Sequence, residues 1–194
     1  MQVRTVAVIG AGAMGQNIAY AAALGGYRTI LEDILPAALR RAEREIRSHL
    51  AEAVELGAMP APAAQAALGR LEFARSVEEA ARQADVVIES VPDELESKLE
   101  IFTLLDKICR PATILATNTS ALSVSEIASV TYRAPRCVGM RFINPPESKR
   151  LEIVRGSQTD ESTLTAALEM GRRMGKETVV IRESPEPSRK TISS

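Results

Sequence analysis

"VAVIGAGAMGQNIA", residues 6–19, decides how this chain folds. An apolar, β-branched run enters the stretch, glycines spaced Gly10-x-Gly12-x-x-Gly15 interrupt it, and small apolar residues leave it. Residues 3–9 read as a buried strand of the parallel type. Residues 14–24 read as a helix closed by Gly25-Gly26. Between them each glycine has a distinct physical role. Gly10 permits the tight turn, Gly12 lets backbone approach a pyrophosphate, and Gly15 lets helix and strand pack closely. The helix N-terminus adds unpaired N–H groups and the positive end of its dipole. Gly10, Ala11, Gly12, Ala13, Met14 and Gly15 are therefore the candidate cofactor loop; the bland alternative is a tight turn that binds nothing.

The second strand, 28–32, ends at Glu32-Asp33, and Asp33 lies 23 positions after Gly10. A carboxylate there accepts hydrogen bonds from the adenosine ribose hydroxyls. It would repel the additional phosphate of NADP, and Ile34-Leu35-Pro36 offer no arginine to receive one. NAD is the expected cofactor. The competing role for Asp33 is a helix-capping carboxylate.

The rest of the chain alternates. A long Ala/Arg/Glu-rich helix runs from Pro36 to about Leu56, followed by a shorter helix near 63–69. Strands at 71–74, 85–89, 113–117, 137–142, 151–154 and 178–181 then alternate with helices at 77–83, 94–108, 123–129 and 161–174. Such alternation predicts an α/β, Rossmann-like, doubly wound and mostly parallel sheet, helices on both faces, with a long helical excursion after the second strand. Residues 1–184 are expected to form one domain. Residues 185–194 are polar and contain Pro185 and Pro187; they are expected to be disordered, or the stump of a longer chain.

Composition narrows the function. The 194 residues are 45% hydrophobic and 25% charged with net charge −1, which is ordinary for a globular chain and supplies no field for nucleic acid. Aromatic residues are only 3% and Trp is absent, so base-stacking platforms are not expected. No run of about 18 apolar residues exists, and no partner membrane is expected. Cys109 and Cys137 form no pairing or metal-ligand motif; they suit a reducing compartment, and a cytoplasmic location is the default. No metal is expected.

In doubly wound sheets ligands sit beyond the carboxyl ends of the strands. Three strand ends here are polar. "VVIESVPDELESK" (86–98) offers Glu89, Asp93 and Lys98; "ILATNTSALS" (114–123) offers Asn118, Thr119 and Ser120; "GMRFINPPESKRLEIV" (139–154) offers Arg141, Asn144 and Glu152. Together with "GAGAMG" and "ED", in this order, these motifs resemble the NAD-binding domain of the 3-hydroxyacyl-CoA dehydrogenase family, from about residue 3 to 185.

The resemblance implies NAD-dependent oxidation of L-3-hydroxyacyl-CoA to 3-ketoacyl-CoA, with acyl-CoA or a similar thioester as substrate. In that family a histidine takes the hydroxyl proton, a glutamate orients and polarises the histidine, and a serine binds the reacting oxygen. Ser120 matches the serine, Glu152 the glutamate, Asp33 the ribose-binding aspartate and Lys98 a cofactor-binding lysine. Asp93 stands where the family often has a glutamate near the nicotinamide.

Two departures follow from the same resemblance. The family reads His-Phe-Phe-Asn-Pro where this chain reads Arg141-Phe142-Ile143-Asn144-Pro145. Arginine stays protonated at any working pH and cannot accept the proton. It can hold a carboxylate, with Glu152 the expected partner, or polarise a carbonyl oxygen. The only histidine, His49, lies on the long arginine-rich helix among Arg40, Arg41, Arg44 and Arg47. That run is expected to be a solvated face, with CoA contact as the alternative. The second departure is at the C-terminus. Family members continue past Ser-Pro-Gly-Phe into an all-helical domain that dimerises and closes the site, whereas Ser184-Pro185 is followed here by Glu186-Pro187. The expectation is a chain without that domain, and with weakened oligomerisation. Besides the dehydrogenase, two readings stay open: an NAD(H)-binding module or pseudoenzyme without turnover, and a related 3-hydroxyacid or hydroxyacyl-carrier dehydrogenase.

Overall fold

The structure, a computed structural model, describes residues 2–143 and 148–183; Asn144, Pro145 and the polar tail lie outside them. Eight strands form one sheet: β1 (Thr5–Ile9), β2 (Arg28–Glu32), β3 (Leu71–Ala74), β4 (Val86–Glu89), β5 (Ile114–Thr117), β6 (Cys137–Phe142), β7 (Arg150–Arg155) and β8 (Glu177–Arg182). Their order is β3-β2-β1-β4-β5-β6-β7-β8. Every pairing is parallel except β6 with β7. The helices are α1 (Ala13–Leu24), α2 (Pro36–Glu55), α3 (Ala61–Leu68), α4 (Val77–Ala81), α5 (Leu95–Ile108), α6 (Val124–Ala128) and α7 (Glu161–Arg173).

The strands are apolar on consecutive residues because both faces of the sheet are covered. Val6, Val8, Leu31, Val86 and Ile88 pack with α1, α2, α3 and α7. Their neighbours Ala7, Ile9, Ile30, Val87 and Leu115 pack with α4, α5 and α6. The expected doubly wound, mostly parallel sheet with its helical excursion α2–α3 is what the chain forms.

The differences in detail have local causes. The first strand opens at Thr5 rather than residue 3, because the N–H groups of Arg4 and Thr5 both turn to the Asp85 carboxylate, at 2.8 and 2.9 Å. Helix α4 stops at Ala81 rather than 83, with the Arg82 N–H closing it on Glu78 O. A 3₁₀ turn at Ala134–Arg136, set by Pro135, lies just ahead of β6. No described helix is long and apolar enough to cross a membrane.

The strand order reverses direction at β1, which has β2 on one side and β4 on the other. This is the switch point, where a crevice opens beyond the carboxyl ends of the strands. Gly10 follows β1 there, Ser90 follows β4, and Asp33 follows β2.

Candidate active site

The glycine loop is built as its spacing requires. Gly10 has φ +101°, a left-handed conformation that side chains rarely adopt, and a Cβ on it would sit 2.8 Å from Ser90 O. A Cβ on Gly15 would lie 1.8 Å from Gly10 O, so helix and turn touch only because Gly15 lacks one. Gly12 differs: nothing lies within 4 Å of its missing Cβ. That open space sits at the N-cap of α1, where no side chain caps the helix and its first turn carries no acidic residue. The free N–H groups of that turn, over Ala13, Met14 and Gly15, suit a diphosphate.

Asp33 lies across this loop. Its Oδ2 accepts from the Ala11 N–H at 3.0 Å and its Oδ1 from the Leu35 N–H at 2.9 Å. Half-buried, it keeps a face toward solvent. The carboxylate is thereby fixed beside the loop. These residues fit NAD: a glycine cradle for the pyrophosphate, an uncapped helix end, and an acidic side chain that would repel a 2′-phosphate.

Glu32, immediately before, belongs to none of the expected site residues. It is 2% exposed, and its Oε1 has no hydrogen-bond partner. Burial, reinforced by the charge of Asp33, pushes its carboxyl up to about 7. Only its place at a strand end hinted at this; a carboxylate in the inward-facing register position cannot be told from an exposed one by spacing alone.

Beyond β4 and β5 lies a connected polar chain whose members look independent in the sequence. Glu89 and Lys98 are both fully enclosed, with Lys98 Nζ 2.7 Å from Glu89 Oε1. Glu89 also accepts from the Val91 N–H and from the Thr117 hydroxyl, each at 2.7 Å. Lys98 Nζ reaches Val91 O at 3.3 Å and lies 3.7 Å from Asp93 Oδ1. The resemblance assigns Lys98 to the cofactor; the structure places its ammonium wholly below the crevice, where it neutralises Glu89. The placement has a simple cause: α5 turns Lys98 onto its inner face, toward the buried Glu89 carboxylate.

Asp93 carries this chain to the surface. Its Oδ1 accepts from the Thr119 hydroxyl at 2.6 Å, and its Oδ2 from the hydroxyl and N–H of Ser120 at 2.8 and 3.1 Å. Desolvation pulls its carboxyl upward, but these hydrogen bonds and the charge of Lys98 outweigh it and hold the group below the usual carboxylate range. Asp93 therefore fixes the loop of Asn118, Thr119 and Ser120 at the mouth of the crevice. Asn118 accepts from the Phe142 N–H at 3.0 Å and so ties that loop to the end of β6.

Arg141 completes the site. The antiparallel register sets Arg141 directly opposite Glu152. Its NH1 lies 3.2 Å from Glu152 Oε2, and its Nε donates to Thr119 O at 2.9 Å. Glu152 Oε1 is held from its other side by Arg150 at 2.8 Å. The expected Arg141–Glu152 partnership is thus present, and Arg150 is a third member that sequence reasoning did not include.

His49 is exposed on α2, edge-on to the Tyr20 ring with centroids 6.4 Å apart. Arg47 pairs with Glu43 one turn earlier on the same face. Both belong to a solvated surface rather than to the group of residues above.

The comparisons agree with this geometry. Residues 5–184 match the family described as 3-hydroxyacyl-CoA dehydrogenase, NAD binding domain. A probable 3-hydroxybutyryl-CoA dehydrogenase of Bacillus subtilis is 37% identical over 186 residues, which cover 95% of this chain and 64% of the relative. The chain thus spans just under two thirds of that relative's length. The crystal structure of 3-hydroxybutyryl-CoA dehydrogenase from Escherichia coli superposes with a TM-score of 0.91 at 36% identity, covering 95% of this chain and 39% of that one. That of (S)-3-hydroxybutyryl-CoA dehydrogenase from Ralstonia eutropha gives 0.90 at 32% identity, covering 95% and 65%. With the glycine cradle, Asp33 and the ordered strand ends all in place, the chain belongs to the 3-hydroxyacyl-CoA dehydrogenase family, of which it forms the NAD-binding domain.

Proposed function

We propose that this domain holds NAD for the oxidation of L-3-hydroxyacyl-CoA to 3-ketoacyl-CoA, with acyl-CoA or a similar thioester as substrate. The observation that carries the reading is that the ends of β1, β4 and β5 meet at Ser90: a Cβ on Gly10 would lie 2.8 Å from Ser90 O, and Asn118 Nδ2 donates to Ser90 Oγ at 3.3 Å, which brings the Ser120 loop to the glycine loop. Bound NAD supplies the hydride acceptor. The chain's own residues do the rest. Gly10 to Gly15 and Asp33 hold the dinucleotide. Asp93 orients Ser120, whose hydroxyl is exposed and positioned to meet the reacting oxygen. Lys98 and Glu89 brace Asp93 from below. A cytoplasmic location belongs to this proposal and is supported by two buried thiols, Cys109 and Cys137, which are free and which burial pushes up to about 11.

One step of the family reaction lacks its usual agent, because position 141 holds arginine in place of histidine. The hydroxyl proton needs an acceptor, and Arg141 is a permanent cation bound to Glu152 and Thr119 O. This observation favours a second reading, in which the chain binds NAD(H) with little turnover. General-base catalysis contributes about 10²–10⁴-fold, so the two readings predict rates that differ on that scale.

The test pairs two measurements on the intact chain. NADH is titrated by fluorescence, and reduction of acetoacetyl-CoA is followed by loss of the nicotinamide absorbance. Binding of NADH is expected, with turnover slowed by the missing base. Failure to bind NADH refutes both readings; rapid turnover refutes the second and shows that another group moves the proton.

A further inference from the structure

The cation Arg141 is more than half of a closed ion pair. A guanidinium has five N–H donors. Two are used here, Nε on Thr119 O and one on NH1 toward Glu152, and the NH2 group has no partner among the described residues. The side chain keeps 27% of its surface exposed at the mouth of the crevice. Arg150, two residues before Glu152 on the same strand face, is 55% exposed. Among the described residues a single carboxylate therefore serves two guanidinium groups. The Nε–Thr119 bond also fixes the plane of the Arg141 fork, so its outer edge is oriented before anything binds.

An oriented, partly exposed guanidinium edge with unused N–H donors matches a carboxylate better than a neutral carbonyl. We propose that Arg141, supported by Arg150, is a receptor for a carboxylate on the substrate, which extends the thioester reading above to 3-oxo and 3-hydroxy acids carrying a free carboxylate. The proposal uses the crevice described above but does not depend on turnover. Glu152 is then an internal occupant: it neutralises one arginine when the site is empty and competes with the incoming anion for the fork.

The competition gives the test its sign. Acetoacetate and its neutral methyl ester are titrated by calorimetry into the intact chain with saturating NADH, with inorganic phosphate as a charge control. Acetoacetate should bind at least about tenfold more tightly than the ester, as one charge-assisted bidentate contact provides. Arg141→Gln should bring the two ligands to similar affinity. Glu152→Gln frees both guanidinium groups and should tighten acetoacetate binding several-fold without helping the ester.

Several results overturn the proposal. One is equal affinity of wild type for acid and ester. Another is an unchanged preference in Arg141→Gln. A third is weaker acetoacetate binding in a folded Glu152→Gln protein, which would make Arg141 a purely structural partner of Glu152. Competition by phosphate as strong as by acetoacetate would also overturn it, since the preference would then be for charge alone. If Arg141→Gln fails to fold, the Glu152→Gln arm decides. NADH affinity is read separately, so loss of the cofactor reading shows as failed NADH binding with the acid-over-ester preference intact.

Discussion

Lys98→Met separates two roles that the same residue could fill. A lysine that touches only the cofactor can be removed at the expense of affinity alone. The structure gives Lys98 a different role, because its ammonium is fully enclosed and 2.7 Å from Glu89, itself fully enclosed. Removing one member of a buried pair strands the other charge, which typically costs about 3–5 kcal/mol. Glu89 would keep the Val91 N–H and the Thr117 hydroxyl, so the lower end, about 3 kcal/mol, is expected. Chemical denaturation without NAD should therefore show a lower midpoint at unchanged slope. The double variant Glu89→Gln/Lys98→Met should recover at least about 1 kcal/mol of the loss, because it removes the stranded charge. NADH affinity should fall as well, but through Asp93 and the Ser120 loop that it positions. If Lys98→Met leaves stability within about 1 kcal/mol of wild type while NADH binding collapses, the buried-neutraliser account is wrong and Lys98 is a direct cofactor contact.

Three further outcomes follow from the same structure. Asp33→Ala should narrow the preference for NADH over NADPH in fluorescence titrations, and weaken NADH binding too, because Asp33 also braces the Ala11 and Leu35 N–H groups. Gly15→Ala would set a methyl group 1.8 Å from Gly10 O, so a loss of about 3 kcal/mol or more in thermal or chemical denaturation, together with loss of NADH binding, is expected. Glu32 has its carboxyl raised from 4.5 to about 7 in the folded chain, so the unfolded chain releases that proton first and stability declines as pH rises across this interval. Glu32→Gln should flatten the decline, and denaturation midpoints measured from pH 5 to 8 check it.

How much of the fold and site is legible in the sequence depends on what each feature needs in order to be seen. The sheet is readable because parallel strands buried on both faces leave continuous apolar runs such as residues 6–9 and 86–88, punctuated by glycine. The glycine loop is readable because its constraint is local. Asp33 can be placed by counting from Gly10. The interaction of Glu89 with Lys98 cannot. Those residues lie nine apart, one on a strand and one on the inner face of a helix, and only the packing of α5 against the sheet decides that they meet. The family pattern suggested a cofactor contact for Lys98, whereas the third dimension turned it inward. The Arg141–Glu152 pair was expected from that pattern, but Arg150 was invisible as a member of it. A residue two positions from Glu152 shares its face only once β7 is known to be extended and antiparallel to β6.

Under the proposed reaction the fate of the hydroxyl proton decides the rate, and the group formed by Arg141, Glu152 and Arg150 makes a graded prediction about it. Oxidising a hydroxyl group separates hydride from proton, and the proton needs a basic acceptor near Ser120. Arg141→His supplies one directly opposite Glu152, so the carboxylate that a histidine base needs is already in register. Yet Glu152 would not be free to serve it. Its Oε1 stays 2.8 Å from Arg150, which draws negative charge away from the side that faces position 141. The single variant should therefore gain part of the factor of about 10²–10⁴ that a general base contributes, and Arg141→His/Arg150→Gln should gain more. Glu152→Gln placed on the double variant should remove most of the gain, since the histidine then loses its polarising partner. All are read as rates of acetoacetyl-CoA reduction at saturating NADH, with NADH affinity measured alongside to confirm that the cofactor site is unchanged. If the double variant is no faster than Arg141→His, Arg150 does not compete for Glu152 in solution. If neither exceeds wild type while NADH still binds, position 141 is not where the proton leaves, and a water held by Ser120 becomes the acceptor to test.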